Sequence, residues 1–132
     1  MGFIESVKSV FTKYATFQGR SPRSEYWYFM LFNFLVSFML ILFAAFLSIA
    51  AIEAALVMLV LLILYSLATM IPSISVTVRR LHDTNHSGWW YWISFVPYVG
   101  PLVLLVFMCI RGTDGPNQYG PDPFGPHLQA FD

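Results

Sequence analysis

The sequence predicts an all-α membrane protein: an N-terminal amphipathic interfacial helix followed by about three transmembrane helices, the third kinked by proline and glycine. Three observations carry this. Between Tyr26 and Val78 there is one charged side chain, Glu53, and a second charge-free stretch runs from Trp89 to Ile110. The chain is 58% hydrophobic and 11% charged, against ~25% charged in a soluble globular domain. No period-2 alternation suggests a barrel, and a long apolar run that must satisfy its own backbone in lipid becomes a spanning helix. The 132 residues leave room for a single membrane domain.

The first element is expected over 1–18. Phe3, Val7, Val10, Tyr14 and Phe17 recur at helical spacing with Ile4 and Phe11 beside them, while Glu5, Lys8, Ser9, Thr12 and Lys13 fill the other face. Such a helix is too polar to span and suits the bilayer interface. The first ~25 residues hold no h-region, so the first span is expected to act as its own targeting signal.

Ser21-Pro22 reads as an N-cap followed by proline at the first helical position, opening a span over 24–51 with an aromatic belt at Tyr26, Trp27, Tyr28 and Phe29. Within it Asn33, Ser37, Ala44 and Ser48 share a face, at offsets of four, eleven and fifteen residues. A turn near Ser48 to Ala55 leads to a second span over 54–82. Pro72 kinks it, and Ser66, Thr69, Ser73 and Thr77 line one face, placed to re-satisfy the carbonyl that proline frees. Both polar stripes read as helix–helix contacts; a solute pathway would use the same residue types.

Ser87 caps a third span over 87–111, begun by Trp89, Trp90 and Trp92 and interrupted by Pro97, Gly100 and Pro101. About 22 residues at ~1.5 Å each give ~33 Å, enough to cross once. A re-entrant hairpin is the alternative. The remainder, 112–132, is a Gly/Pro-rich tail of turns and extended backbone, which Tyr119 and Phe124 could dock on the membrane surface; a fully disordered tail is the alternative. Cys109, the lone cysteine, is expected to be a buried free thiol.

Basic residues near the spans give the topology. Lys8, Lys13, Arg20 and Arg23 share a side with Arg79 and Arg80 across two spans, so the N-terminus is expected in the cytoplasm. Three spans put Arg111 and the tail in the periplasm; a re-entrant third segment would return them.

The segment Arg79-Arg80-Leu81-His82-Asp83-Thr84 concentrates the polar chemistry. Together with Gly19-Arg20, Arg23, Glu25-Tyr26-Trp27, Ser87-Gly88-Trp89-Trp90, Pro97, Gly100, Gly112, Gly115, Asn117 and Tyr119-Gly120-Pro121-Asp122-Pro123, it closely resembles one bacterial family. That family is domain of unknown function 805 (DUF805), small inner-membrane proteins that include the YhaH-like proteins. The resemblance covers nearly the whole chain and implies a multi-pass inner-membrane protein with no established activity. Asn85 and His86 depart from it, standing where glycine and a basic residue are expected.

Arginine forks suit phosphate and carboxylate, so Arg20, Arg23, Arg79, Arg80, His82 and Asp83 form a candidate anionic-headgroup site. The competing reading is a structural ion-pair network tying the N-terminal segment to the helix end. His82 and His86 stand at i and i+4, a loose echo of a zinc-protease motif, but Asp-Thr-Asn-His-Ser-Gly is turn chemistry and no third ligand lies nearby in sequence, although His127 could be brought close by folding. No metal, cofactor or catalytic residue is expected. Membrane lipids are the expected partners, with a homo-oligomer or a membrane-protein partner as alternatives, and nucleic acid is not expected because basic residues are few. A non-catalytic binding protein leads. Its rivals are an oligomeric channel or transporter for a small neutral solute and an enzyme acting on a lipid phosphate.

Overall fold

The computed structural model describes residues 2–121. Its five helices, in order, are α1 (Phe3–Thr12), α2 (Arg23–Ala50), α3 (Ile52–Asp83), a 3-10 helix (Gly88–Phe95) and α4 (Val99–Cys109). Among the described residues there is no strand, only an isolated bridge between Asn117 and Gly120. Two of the helices, α2 and α3, are long and apolar enough to cross a membrane. They form an antiparallel pair that reverses at Ala51, whose extended backbone ends one helix and starts the next.

Each helix boundary has a local cause. Helix α2 begins after Pro22, and Ser21 gives no N-cap: its hydroxyl donates to Glu25 Oε1 at 2.9 Å. Helix α3 ends in a Schellman motif, with the N–H of His86 bonded to Leu81 O at 2.9 Å and that of Asn85 to His82 O at 3.0 Å. Asn85, at φ 62°, takes the left-handed conformation that closes the motif, which is why asparagine serves where glycine is expected.

Helix α1 lies across the charged end of the α2–α3 pair. Phe3 meets Tyr28 edge-on at 5.9 Å, and Phe11 meets Phe29 at 5.5 Å. Ser6 and Val10 are buried, and Val10 joins Phe29 and Val76 in the core. Ile4 and Phe11 form an exposed apolar edge, Glu5, Lys8 and Thr12 an exposed polar one.

Pro72 lies inside continuous α3 and removes the N–H that would bond Ala68 O. The stripe expected to compensate does not. Thr69 and Thr77 bond back to Tyr65 O and Ser73 O within their own helix, Ser66 is exposed, and the hydroxyl of Tyr14 donates to Ala68 O at 2.5 Å. Ser75 returns the tie, donating to Tyr14 O at 3.1 Å. Of the two stripes, Asn33 and Ser73 join the helices, Nδ2 to Oγ at 3.4 Å, with Tyr65 donating to Asn33 Oδ1 at 2.7 Å. Ser37 is half-buried, and Ser48 is exposed and bonded to Ala45 O.

The single kinked helix expected over 87–111 does not form. The 3-10 helix and α4 fold back on each other around Pro97 and Tyr98, the latter at φ 66°. A Cβ on Gly100 would lie 1.6 Å from Ile93 O, so the two arms approach as closely as a bare backbone allows. The arms finish side by side, with the His86 and Phe107 rings 4.5 Å apart and those of Trp90 and Phe107 5.4 Å apart. The tail therefore lies beside the start of α2 and the end of α3, whereas a third crossing would carry it toward Ala51. Cys109 is exposed, not buried, because Met108 takes the inward position at the end of α4. Phe124 and His127 fall outside the described residues.

If Tyr14 closes the gap left by Pro72, Tyr14→Phe is expected to lower the unfolding free energy by about 1 to 2 kcal/mol. Titration with a denaturing detergent, monitored by tryptophan fluorescence, would measure it; an unchanged midpoint refutes the role.

Candidate interfacial site

Five charged side chains are buried together where α2 begins and α3 ends: Arg20, Glu25, Arg79, Arg80 and Asp83. Burial on this scale demands pairing, since an isolated buried charge costs several kcal/mol. Asp83 answers two arginines at once, Oδ1 to Arg20 Nε at 2.9 Å and Oδ2 to Arg80 Nη1 at 2.6 Å. Glu25 answers the third, Oε1 to Arg79 Nη1 at 2.6 Å, and also accepts from Ser21 and, at 2.7 Å, from Ser9 of α1. Helix α1 is thereby tied to the same network.

Three arginines face two carboxylates, and backbone carbonyls take the excess. The last carbonyls of a helix lack intrahelical partners and carry partial negative charge. Arg80 donates to Met108 O and Ile110 O, Arg23 to Cys109 O at 3.1 Å, and Trp27 Nε1 to Met108 O at 3.1 Å, so the end of α4 is capped by other elements. Arg20 binds the tail, donating to Thr113 O and to Gly115 O at 2.6 Å. The tail answers through Thr113 N, which donates to Asp83 O at 2.7 Å. A Cβ on Gly112 would lie 2.0 Å from Asp83 Oδ2, so that position admits only glycine without displacement. Among the described residues, Nε and Nη2 of Arg79 have no hydrogen-bond partner.

The structure thus gathers Arg20, Arg79, Arg80 and Asp83 into one buried network, with Arg23 at its edge and His82 beside it. The guanidinium groups of Arg20 and Arg80 are engaged by the protein, while Arg79 is engaged through Nη1 alone and is buried with its other two nitrogens open. His82 lies in the last turn of α3, past its apolar stretch. Its Nδ1 is 3.0 Å from Gly19 O, its ring stacks on Tyr119 with centroids 4.1 Å apart, and Asn117 Nδ2 donates to its carbonyl at 3.0 Å. Burial pulls the imidazole below its ordinary pKa, an effect opposed by the Gly19 hydrogen bond. His86 turns instead to Thr84, Trp90 and Phe107. No group of three His, Cys, Asp or Glu among the described residues is placed to hold a metal.

Next to the network lies a cavity of about 510 Å³, lined by Phe17, Ile74, Val78, His82, Ser87 and Gly88 together with Trp89, Tyr91 and Trp92. Sequence reasoning took Trp89 and Trp92 as the interfacial start of a third span and missed the cavity, because the hairpin fold is what brings them over His82. Glu25, Ser9 and Ser21 were also missed as members of the cluster. Glu25 carried a readable signal, being the only carboxylate between Glu5 and Glu53.

The family described as "Protein of unknown function (DUF805)" matches residues 14–121. The inner membrane protein YhaI of Escherichia coli (strain K12) is 44% identical over 115 residues, covering 87% of this chain and 92% of that protein. The inner membrane protein YhaH of the same strain is 39% identical over 114 residues, covering 86% and 92%. No solved structure matches the chain.

Two outcomes follow from this geometry. Asp83→Ala strands two buried guanidiniums and is expected to destabilise the fold by about 3 to 5 kcal/mol, with the tail released to protease; a tail as resistant as in the parent would contradict the arrangement. His82 has a folded pKa below its unfolded value, so the unfolded chain takes up the proton first as pH falls. Its contribution is full above about pH 6.5 and lost as pH drops through the lowered folded value. Protection factors of the amides in 112–121, taken relative to the intrinsic exchange rate at each pH, are expected to fall between about pH 7.5 and 5, with a shallower slope in His82→Asn.

Proposed function

This chain belongs to the DUF805 family of proteins of unknown function, and from that premise we propose that it is a non-catalytic, multi-pass inner-membrane protein that binds lipid at its cytoplasmic interface. Crossing is assigned to α2 and α3. Their 28 and 32 residues exceed the ~20 needed for a ~30 Å core. Counted back from Ala51, about 20 residues reach Leu31 and Ile71, the level at which α1 packs on Phe29. Helix α1 then lies in the interface, its Ile4–Phe11 edge toward lipid and its Lys8–Thr12 edge toward water.

The hairpin of the 3-10 helix and α4 enters one leaflet and returns. The 11 residues of α4 span only ~16 Å, too little to cross. Two crossings and a re-entrant hairpin, in place of three crossings, leave both ends of the described chain on one side. The basic residues at that end favour the cytoplasm.

The observation that carries lipid binding is the cavity where Trp89, Tyr91 and Trp92 meet His82 at the boundary between apolar span and charged end. Aromatic residues with a polar handle suit this depth. A headgroup bound directly by Arg20, Arg79 and Arg80 is disfavoured, since carboxylates and carbonyls already hold Arg20 and Arg80, and Arg79, paired with Glu25, is buried away from the surface. A solute pore draws no support from the stripes, because Asn33, Tyr65 and Ser73 satisfy one another. Catalysis on a lipid phosphate has a candidate base in His82 but no metal set among the described residues and no free carboxylate beside it, as Glu25 and Asp83 are both engaged in ion pairs.

Native mass spectrometry of the protein extracted with its lipids tests the reading. A retained lipid is expected, reduced about tenfold in Trp92→Ala, which corresponds to ~1.4 kcal/mol; retention independent of Trp92 overturns it. A reporter fused after the tail should report the cytoplasm, and a periplasmic signal would restore three crossings.

A further inference from the structure

The chemistry of the cavity indicates which headgroup it accepts. Carbonyl oxygens only accept, so the 3.0 Å contact between His82 Nδ1 and Gly19 O places the proton on Nδ1. In a neutral imidazole the other nitrogen, Nε2, is then an acceptor. It lies toward Gly88, where a Cβ would be 3.6 Å from it, and Gly88 lines the same cavity. His82 is 9% exposed, and no described group donates to Nε2. The cavity therefore offers an open lone pair on a residue that is otherwise largely buried.

The other lining groups bring aromatic faces and no formal charge. Trp89 and Trp92 remain 77% and 58% exposed, with ring surface available to a ligand. Aromatic faces carry the negative lobe of the ring quadrupole and attract cations within about 6 Å. A lone pair and several π-faces complement a positive group that carries N–H donors. An anion meets neither.

Resting on the lipid-binding reading above, we propose that this cavity takes the primary ammonium of an ethanolamine phospholipid, which donates an N–H to Nε2 of His82 and packs against Trp89, Tyr91 and Trp92. The buried network supplies the second half of the recognition. Three arginines against two carboxylates carry one formal positive charge, which the carbonyl dipoles screen without cancelling, and this charge attracts the phosphate attached to the ethanolamine. Phosphatidylcholine has the cation without the N–H. Phosphatidylglycerol has hydroxyl donors without the cation. A free amine has no phosphate.

The test uses the full chain in nanodiscs of phosphatidylethanolamine, phosphatidylcholine or phosphatidylglycerol in an inert lipid background, with retained lipid read by native mass spectrometry. Phosphatidylethanolamine is expected to be retained at least about tenfold over phosphatidylglycerol, with phosphatidylcholine between them, and Trp92→Ala to erase the preference. In histidine-¹⁵N-labelled protein, the Nε2 resonance of His82 is expected to move with phosphatidylethanolamine and stay in place with phosphatidylcholine. If phosphatidylglycerol is retained equally or better and its retention still falls in Trp92→Ala, the headgroup assignment fails while lipid binding at the cavity stands. Retention of every lipid unaffected by Trp92→Ala overturns both. Displacement of the lipid by free ethanolamine at equal concentration refutes a lipid ligand in favour of a soluble amine.

Discussion

Two guanidiniums converge on one buried carboxylate, and the charged end of the molecule is arranged around that fact. Asp83 holds Arg20 from the segment before α2 and Arg80 from its own helix, while its backbone carbonyl receives Thr113 of the tail. The carboxylate cannot neutralise both arginines, so the remainder must come from oriented dipoles. The open carbonyls at the end of α4 and those of the tail supply them, and this demand brings hairpin and tail back to the start of α2. A pair buried this deeply contributes little net stability, because desolvation opposes attraction. Its effect is on specificity: few other arrangements of these segments would satisfy every charge.

The apolar part obeys the complementary constraint, that no backbone group be left open in lipid. Pro72 breaks it at one point, and a tyrosine from outside the helix repairs it. That repair fixes where the segment after α1 must run, since Tyr14 is engaged at both its hydroxyl and its carbonyl. Helix α1 is held independently through Ser9 and Glu25. The N-terminal segment is thus attached by ion-network chemistry at one place and by helix-backbone chemistry at another.

Much of this could be read from the residues. The apolar runs located α2 and α3, Glu53 bracketed the turn at Ala51, and the basic residues marked one end as different from the other. Family membership was legible in the Arg79–Thr84 run. What escaped reading depended on contacts distant in sequence. Over 87–111, apolar composition cannot separate a crossing from a hairpin, and the bend turns on Tyr98, a residue that does not advertise a left-handed backbone. The arginines looked available to a ligand because their partners include the carbonyls of Met108, Ile110, Thr113 and Gly115, and carbonyls have no sequence signature. Tyr65 stood on no polar stripe yet clamps Asn33. Hydroxyls of Ser66 and Thr69 seemed suited to the proline gap, but nothing local revealed that Tyr14 reaches it first.

The attachment of the tail to Arg20 also bears on how the molecule is made. Synthesis runs from the N-terminus, so Arg20, Arg80 and Asp83 all emerge before the groups of α4 and the tail that complete their coordination. The carbonyls of Thr113, Gly115 and Gly120 that Arg20 meets are produced some 93 to 100 residues after it. Through that interval α2 and α3 are complete while Arg20 still lacks those partners, and water must serve in their place. The network can close only once those carbonyls exist, which makes residues 113–120 a late-arriving latch across the start of α2 and the end of α3.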